Sequence, residues 1–247
     1  MGSAFAITLR EGFEAALIVS ILLAYLKAIG RSDRRGVIWT GVAAAVGASI
    51  LAGAIIFWTA GRLSHTAEEA FEGLVALVAV GVLTWMVFWM RRQARYLKGQ
   101  LQYKVDQALA HGSTAALGGI AFIAVGREGF ETALFMFAAF RASAETSTVL
   151  RLTGAVLGLV TAIVIGYLIY RGGLKLNMRA FFRVTGVMIL LVAAYLLKNG
   201  IHELQEIGWI PAVSGLQPAA WIAYLGVTGF LFFRPQPAPV PGEPART

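Results

Sequence analysis

Arg10-Glu11-Gly12-Phe13-Glu14 sets three charges inside an apolar run, and the same five residues recur as Arg127-Glu128-Gly129-Phe130-Glu131. At about 100° per residue on an α-helix, Arg10, Glu11 and Glu14 fall within an arc of roughly 100°, so both carboxylates and the guanidinium share one face. A charge at the centre of a membrane-spanning helix costs about 2.5–3.5 kcal/mol, so six of them facing lipid would cost roughly 15–20 kcal/mol. The two pentapeptides must therefore face each other, or water, inside a bundle.

Composition supports that frame. The 247 residues are 58% hydrophobic and only 14% charged, with a mean hydropathy of +0.71. That is too apolar for a soluble domain and reads as an all-α, polytopic membrane protein. The net charge of +8 does not point to nucleic acid, because the basic residues sit in short segments between apolar runs, where the positive-inside rule places them. The chain has no cysteine, which excludes disulfides, thiolate ligation and thiol redox chemistry; a metal here is held by oxygen or a few imidazoles. Arg10 and Glu11 interrupt the first apolar run, so no cleavable signal peptide is read and the first helix is expected to stay.

Runs of about 20 apolar residues predict seven spans, near 5–27, 37–60, 69–90, 115–140, 151–170, 183–203 and 217–233. The last is short, because Gly215 and Pro218 leave few clean apolar positions. Lys27, Arg31, Arg34 and Arg35 follow the first helix, Arg91, Arg92, Arg95, Lys98 and Lys104 the third, and Arg171, Lys175 and Arg179 the fifth. Those loops are expected in the cytoplasm, with the N-terminus outside and the C-terminus inside an inner (plasma) membrane. Two triplets of helices, about 1–110 and 111–206, then run in opposite senses and open on the same pentapeptide, an inverted repeat that brings a substrate site to the midplane. A seventh helix about 213–233 completes a permease domain 1–233, and the proline-rich tail 234–247 is expected to be disordered and cytoplasmic. Gly41, Ala45, Ala48, Ala52, Gly154 and Gly158 read as close helix packing. The stretch Arg91–His111 mixes apolar and basic residues and is expected to lie in the membrane interface.

Glu11, Glu14, Glu128 and Glu131 supply up to eight hard oxygen donors, and Arg10 and Arg127 balance part of their charge. With all six ionised the net charge is −2, which a di- or trivalent cation neutralises; oxygen donors without sulfur suit ferric iron better than copper or zinc. The competing reading is that each pentapeptide is a self-contained ion pair at i, i+4, which the cost of burying charge disfavours. A second acidic set lies at the predicted outer ends of the third and sixth helices: Glu68, Glu69 and Glu72, then His202, Glu203 and Glu206. It is expected to act as a negative funnel that concentrates cations. Glu68 and Glu69 fit equally well as solvated residues favoured by the helix dipole. His65 and His111 read as surface residues, and Lys198 as snorkelling or pairing with Glu203.

Two Arg-Glu-Gly-x-Glu motifs on the first and fourth of seven spans resemble the oxidase-dependent iron permease family, with its fungal high-affinity and bacterial members. The stretch Ile201-His202-Glu203-Leu204-Gln205-Glu206 is similar to the bacterial members, whereas the fungal outer-loop acidic motif has no clear match and the family's common leucine is replaced by Phe13 and Phe130. The resemblance, over about 1–233, implies import of iron, delivered as ferric ion after oxidation by a partner, through Glu11, Glu14, Glu128 and Glu131. It implies periplasmic iron-oxidising or iron-delivering partner proteins and no permanently bound cofactor, iron being the cargo; membrane lipid is the other expected partner, and the sequence leaves a homo-oligomer open. Transport of lead, manganese or ferrous iron would use the same carboxylates. A membrane di-iron enzyme is disfavoured because its Glu-x-x-His element is absent from the sequence, and a purely structural subunit by the six buried charges.

Overall fold

A computed structural model describes residues 1–62, 64–93, 97–110, 113–143, 147–172 and 177–234. The expected tail from 235 onward, His111, Arg95 and Lys175 lie outside them. The described residues form eight α-helices and one 3-10 turn, Ser32–Arg34. They are α1 (Gly2–Ala28), α2 (Arg35–Ala60), α3 (His65–Gln93), α4 (Leu97–Ala110), α5 (Thr114–Ala142), α6 (Thr148–Tyr170), α7 (Met178–Glu206) and α8 (Leu216–Phe233).

Among the described residues, five helical segments are long and apolar enough to cross a membrane: Ser32–Ala60, His65–Met90, Thr148–Tyr170, Ala180–Glu206 and Leu216–Phe233. The other two long helices, α1 and α5, run 27 and 29 residues, about 40 Å at 1.5 Å per residue. What separates them from the five is the pentapeptide, which puts three charges into the middle of each.

Packing follows from which faces are small and which are large. α1 packs chiefly on α6, α2 on α5 and α3 on α7, and α1 also meets α5. On α6, Gly154, Gly158, Ala162 and Gly166 form a buried stripe at four-residue spacing. On α2, Gly41 and Ala45 are buried and Ser49 and Gly53 continue the same edge. Gly158 lies against Thr8 and Phe5 of α1, and Gly41 against Gly118 of α5. The remaining faces of α2 and α6 are apolar and exposed, including Ile50, Ile55, Trp58, Val156, Val160 and Ile163. A helix apolar all round with only a small-residue edge turned inward is what a lipid-facing span requires. Ala48, expected in the packing edge, is exposed instead, because a four-residue stripe drifts past it.

The core lies between the four inner helices. Phe13, Leu83, Met86, Phe135, Ile189 and Leu196 join α1, α3, α5 and α7 in one cluster. A second cluster, with Leu22, Leu26, Ile38, Leu101, Val105 and Leu117, closes the end where α4 sits. The expected interfacial segment thus turns Leu101, Val105 and Ala108 of α4 toward α1 and α5, and Tyr25 Oη donates to Asp106 Oδ1 at 2.5 Å. Its apolar side is used up by the bundle. α8 rests on α7, with a 2.5 Å bond between the Tyr224 and Thr84 hydroxyls and Phe232 packed at Gly186.

Candidate metal centre

The two pentapeptides meet at the α1–α5 crossing. One carboxylate oxygen each from Glu11, Glu128 and Glu131 lies within 4.8 Å of the others, and no other such trio of acidic or imidazole side chains occurs among the described residues. An ion with oxygen ligands at 2.0–2.1 Å holds them about 3 Å apart when adjacent and about 4.2 Å apart when opposite, so modest contraction closes this trio on a cation. Both oxygens of Glu11, Oε2 of Glu128, Oε2 of Glu131 and one terminal nitrogen of Arg10 are buried with no hydrogen-bond partner. Buried polar atoms normally find partners, and carboxylates stripped of water are costly unless a cation answers them.

Glu14 stands apart from the trio. Its Oε1 accepts from Arg10 Nε at 3.1 Å, one turn back, in a pair sealed from solvent. Glu131 makes the matching bond to Arg127 Nε at 2.9 Å, with Glu128 Oε1 at 4.0 Å. Each guanidinium therefore neutralises the i+4 carboxylate of its own motif and leaves Glu11 and Glu128 without a hydrogen-bonded cation.

Both glycines of the motif are packing residues, a role the pentapeptide alone does not announce. A Cβ on Gly12 would lie 3.1 Å from Ala162 Cβ and 3.2 Å from Leu159 Cδ1 on α6, and one on Gly129 would lie 2.7 Å from Ser49 Cβ on α2. A mid-helix glycine costs about 1 kcal/mol relative to alanine, and here it lets a neighbouring backbone come close. The signal that could reveal it is the stripe of small residues on each facing helix.

Two cavities reach the acids. One of about 550 Å³ is lined by Glu14, Arg127 and Glu128 at its inner wall and by Trp89, Gln100 and Lys104 toward the α4 end; the Arg127 guanidinium lies 5.2 Å from the Trp89 ring. The other, about 410 Å³, opens between α1, α2, α5 and α6 and is lined by Glu11, Glu128, Thr8, Ser49 and Thr132 among apolar groups.

The outer acidic set is gathered at the opposite end, because α3 starts where α7 stops: Gly73 lies against Glu203 and Leu204. All of its members but Glu203 have ion-pair partners. Arg141 from the end of α5 reaches Glu68 Oε1 at 2.6 Å and Glu72 Oε1 at 2.7 Å. His65, exposed at the start of α3, contacts Glu69 at 3.0 Å, and His202 contacts Glu206 at 3.4 Å. Glu203 makes no ion pair among the described residues, and Lys198 is exposed and does not pair with it. In the sequence Arg141 is only a loop charge; its role needs the α3–α5 contact, which no local pattern announces.

The long apolar helices define a multi-helix membrane protein, with a cluster of buried carboxylates between two of them. The chain belongs to the Iron permease FTR1 family, whose model matches residues 1–216. It is 46% identical over 206 residues to proteins named "Ferrous iron permease EfeU" from Escherichia coli O157:H7 and Shigella sonnei, covering 83% of this chain and 74% of each relative. To the Yersinia pestis protein of the same name it is 42% identical over 206 residues, 83% of this chain and 72% of the relative. These relatives are named as permeases, transporters rather than enzymes. No solved structure matches the chain.

Proposed function

We propose that this permease imports iron by passing the ion across the trio Glu11, Glu128 and Glu131, with Glu14 as the next donor toward the α4 end. The observation that carries the reading is the convergence of three carboxylates, with four orphaned oxygens, from two helices bearing the same motif. Arg10 and Arg127 serve as resident counter-charges, so the vacant site is not left with four bare carboxylates, and an arriving cation exchanges for salt bridges. Glu68, Glu69, Glu72, His202, Glu203 and Glu206 form the capture set at the other mouth.

Seven spans and an inverted three-plus-three repeat, with α8 appended, belong to this proposal. The packing supports them: α1 on α6 and α2 on α5 exchange under a two-fold relating the triplets, while α3 on α7 and α1 on α5 map onto themselves. The two motif glycines meet α6 and α2 at residues that correspond in the two stripes, Ala162 and Ser49. Lys27, Arg31, Arg34, Arg35 and Lys104 share the α4 end, which supports a cytoplasmic α4 end and a periplasmic capture set. Periplasmic delivery by an iron-handling protein fits this orientation.

The all-oxygen donor set suits the ferric ion. The relatives are named for ferrous iron, and a net charge of −2 would balance a divalent ion in full, so ferrous transit is the second reading. In proteoliposomes, radioactive iron uptake is expected to fall to background in Glu128→Gln, at least about a hundredfold, since an amide does not replace a charged oxygen donor to a hard cation. Uptake near the parent level at normal protein abundance would overturn the mechanism, and parallel assays with iron held reduced or oxidised identify the transported state.

A further inference from the structure

Along the bundle axis the two ends of the carboxylate site differ. The larger cavity leads from Glu14 and Glu128 toward the α4 end, whereas at the opposite end α5 is fastened to both α3 and α7. There one terminal nitrogen of Arg141 is shared by Glu68 and Glu72 of α3, at 2.6 and 2.7 Å. Tyr195 and Asn199 of α7 donate to the Ala142 carbonyl at 2.5 and 3.0 Å. Beneath the guanidinium lies Phe137, 5.6 Å from it, fully buried and packed on Phe57 and Phe71. These contacts join α2, α3, α5 and α7 at the outer end of the helix that bears Glu128 and Glu131.

We propose that Arg141 is the latch of the outer mouth: a tethered cation that occupies Glu68 and Glu72, holds α5 against α3, and gives way when an incoming ion takes those carboxylates. The inference rests on the import reading and its orientation. Three facts carry it. Arg141 lies on the helix that bears Glu128 and Glu131, so releasing its head removes the α3 fastening of that helix end and leaves the α7 one, at the Ala142 carbonyl. It binds both carboxylates through one nitrogen, as a small cation would, and charge-assisted bonds of this kind are stronger than neutral ones. The pairs are part-exposed, near 29% for Arg141 and Glu68, so a competing cation can reach them from solvent.

The absence of cysteine makes the latch testable with a single introduced thiol. Ala138, one turn below Arg141 on the same face of α5, is buried. In vesicles of the Ala138→Cys chain, labelling of that thiol from outside by a membrane-impermeant cationic methanethiosulfonate is expected to be slow. Adding Arg141→Gln should speed it at least about tenfold, the weight of one charge-assisted hydrogen bond, and Arg141→Lys should restore protection. The apparent KM for iron should fall in Arg141→Gln, because the tethered competitor is gone; a merely structural arginine would leave KM unchanged or raise it. If Arg141→Gln does not accumulate, the charge-free Glu68→Gln/Glu72→Gln/Arg141→Gln chain should, and the thiol introduced by Ala138→Cys in it should label fast. Protection of the thiol in that chain, or in Arg141→Gln with KM unchanged, overturns the latch. Iron uptake by the Ala138→Cys parent in the same vesicles separates the outcomes: uptake that persists while the thiol stays protected in the Arg141→Gln chain sinks the latch alone, and no uptake sinks the import reading beneath it.

Discussion

The two pentapeptides are identical in letters and opposite in setting. In the first, Arg10 is 2% exposed and Phe13 is fully buried, its ring centroid 3.9 Å from that of Phe181 and 5.9 Å from that of Phe182. In the second, Arg127 is 44% exposed, lies over Trp89 and faces the larger cavity, and Phe130 is 53% exposed. The difference comes entirely from the partners: α7 brings two aromatic rings to α1, while α5 turns the same positions to a cavity and the bundle surface. A repeated motif therefore specifies a donor set and leaves each copy's share of solvent to its neighbours.

The comparison breaks most visibly at the ion pairs. Glu14→Gln leaves a sealed guanidinium without its carboxylate and is expected to cost about 3–5 kcal/mol, with protein lost from the membrane. Glu131→Gln should be milder in abundance, since Arg127 can turn to the cavity. Removing both charges, in Arg10→Met/Glu14→Gln, should restore abundance, because replacing both members of a buried pair is often near neutral. Uptake is expected to stay near background in that chain and in Arg127→Met/Glu131→Gln. Recovered uptake in both, measured per folded molecule, would reduce the motifs to structural ion pairs.

Phe13 and Phe130 test the same asymmetry without charge. Phe13→Ala removes a fully packed ring and should destabilise the detergent-solubilised protein by about 3–5 kcal/mol, whereas Phe130→Ala should stay within about 0.5 kcal/mol. Equal shifts in thermal unfolding would mean that the two copies share one environment in solution. The glycines separate the two copies through packing: Gly129→Ala drives a methyl into Ser49 and should cost about 1–3 kcal/mol as overpacking. Gly12→Ala meets looser contacts on Ala162 and Leu159 and should cost less; Ser49→Gly should rescue Gly129→Ala alone.

Much of this is legible in the sequence, and the remainder has physical reasons for being hidden. Helices read near 37–60 and 151–170 correspond to Arg35–Ala60 and Thr148–Tyr170, because long apolar runs leave little choice. The run read as 183–203 continues as Met178–Glu206, since helical hydrogen bonding does not stop where hydropathy does. The carboxylates of the motif stand out because charge inside an apolar run has few uses. That Glu14 stands outside the trio depends on the crossing of α1 and α5, and i, i+4 spacing alone cannot tell a partner from a ligand. The roles of Arg141 and Trp89 and the inward turn of α4 stay invisible because each rests on a contact between helices far apart in sequence.

On α6, Gly154, Gly158, Ala162 and Gly166 repeat every four residues, about 6 Å along the axis, and the α2 edge through Gly41, Ala45, Ser49 and Gly53 repeats at the same interval. Two α1 hydroxyls fix the register of the first seam, Thr8 Oγ1 donating to the Ala155 carbonyl at 2.8 Å and Ser20 Oγ to the Gly166 carbonyl at 3.0 Å. The two seams flanking the carboxylates thus share one period, and on the α1 side that period is locked by hydroxyls rather than by bulk.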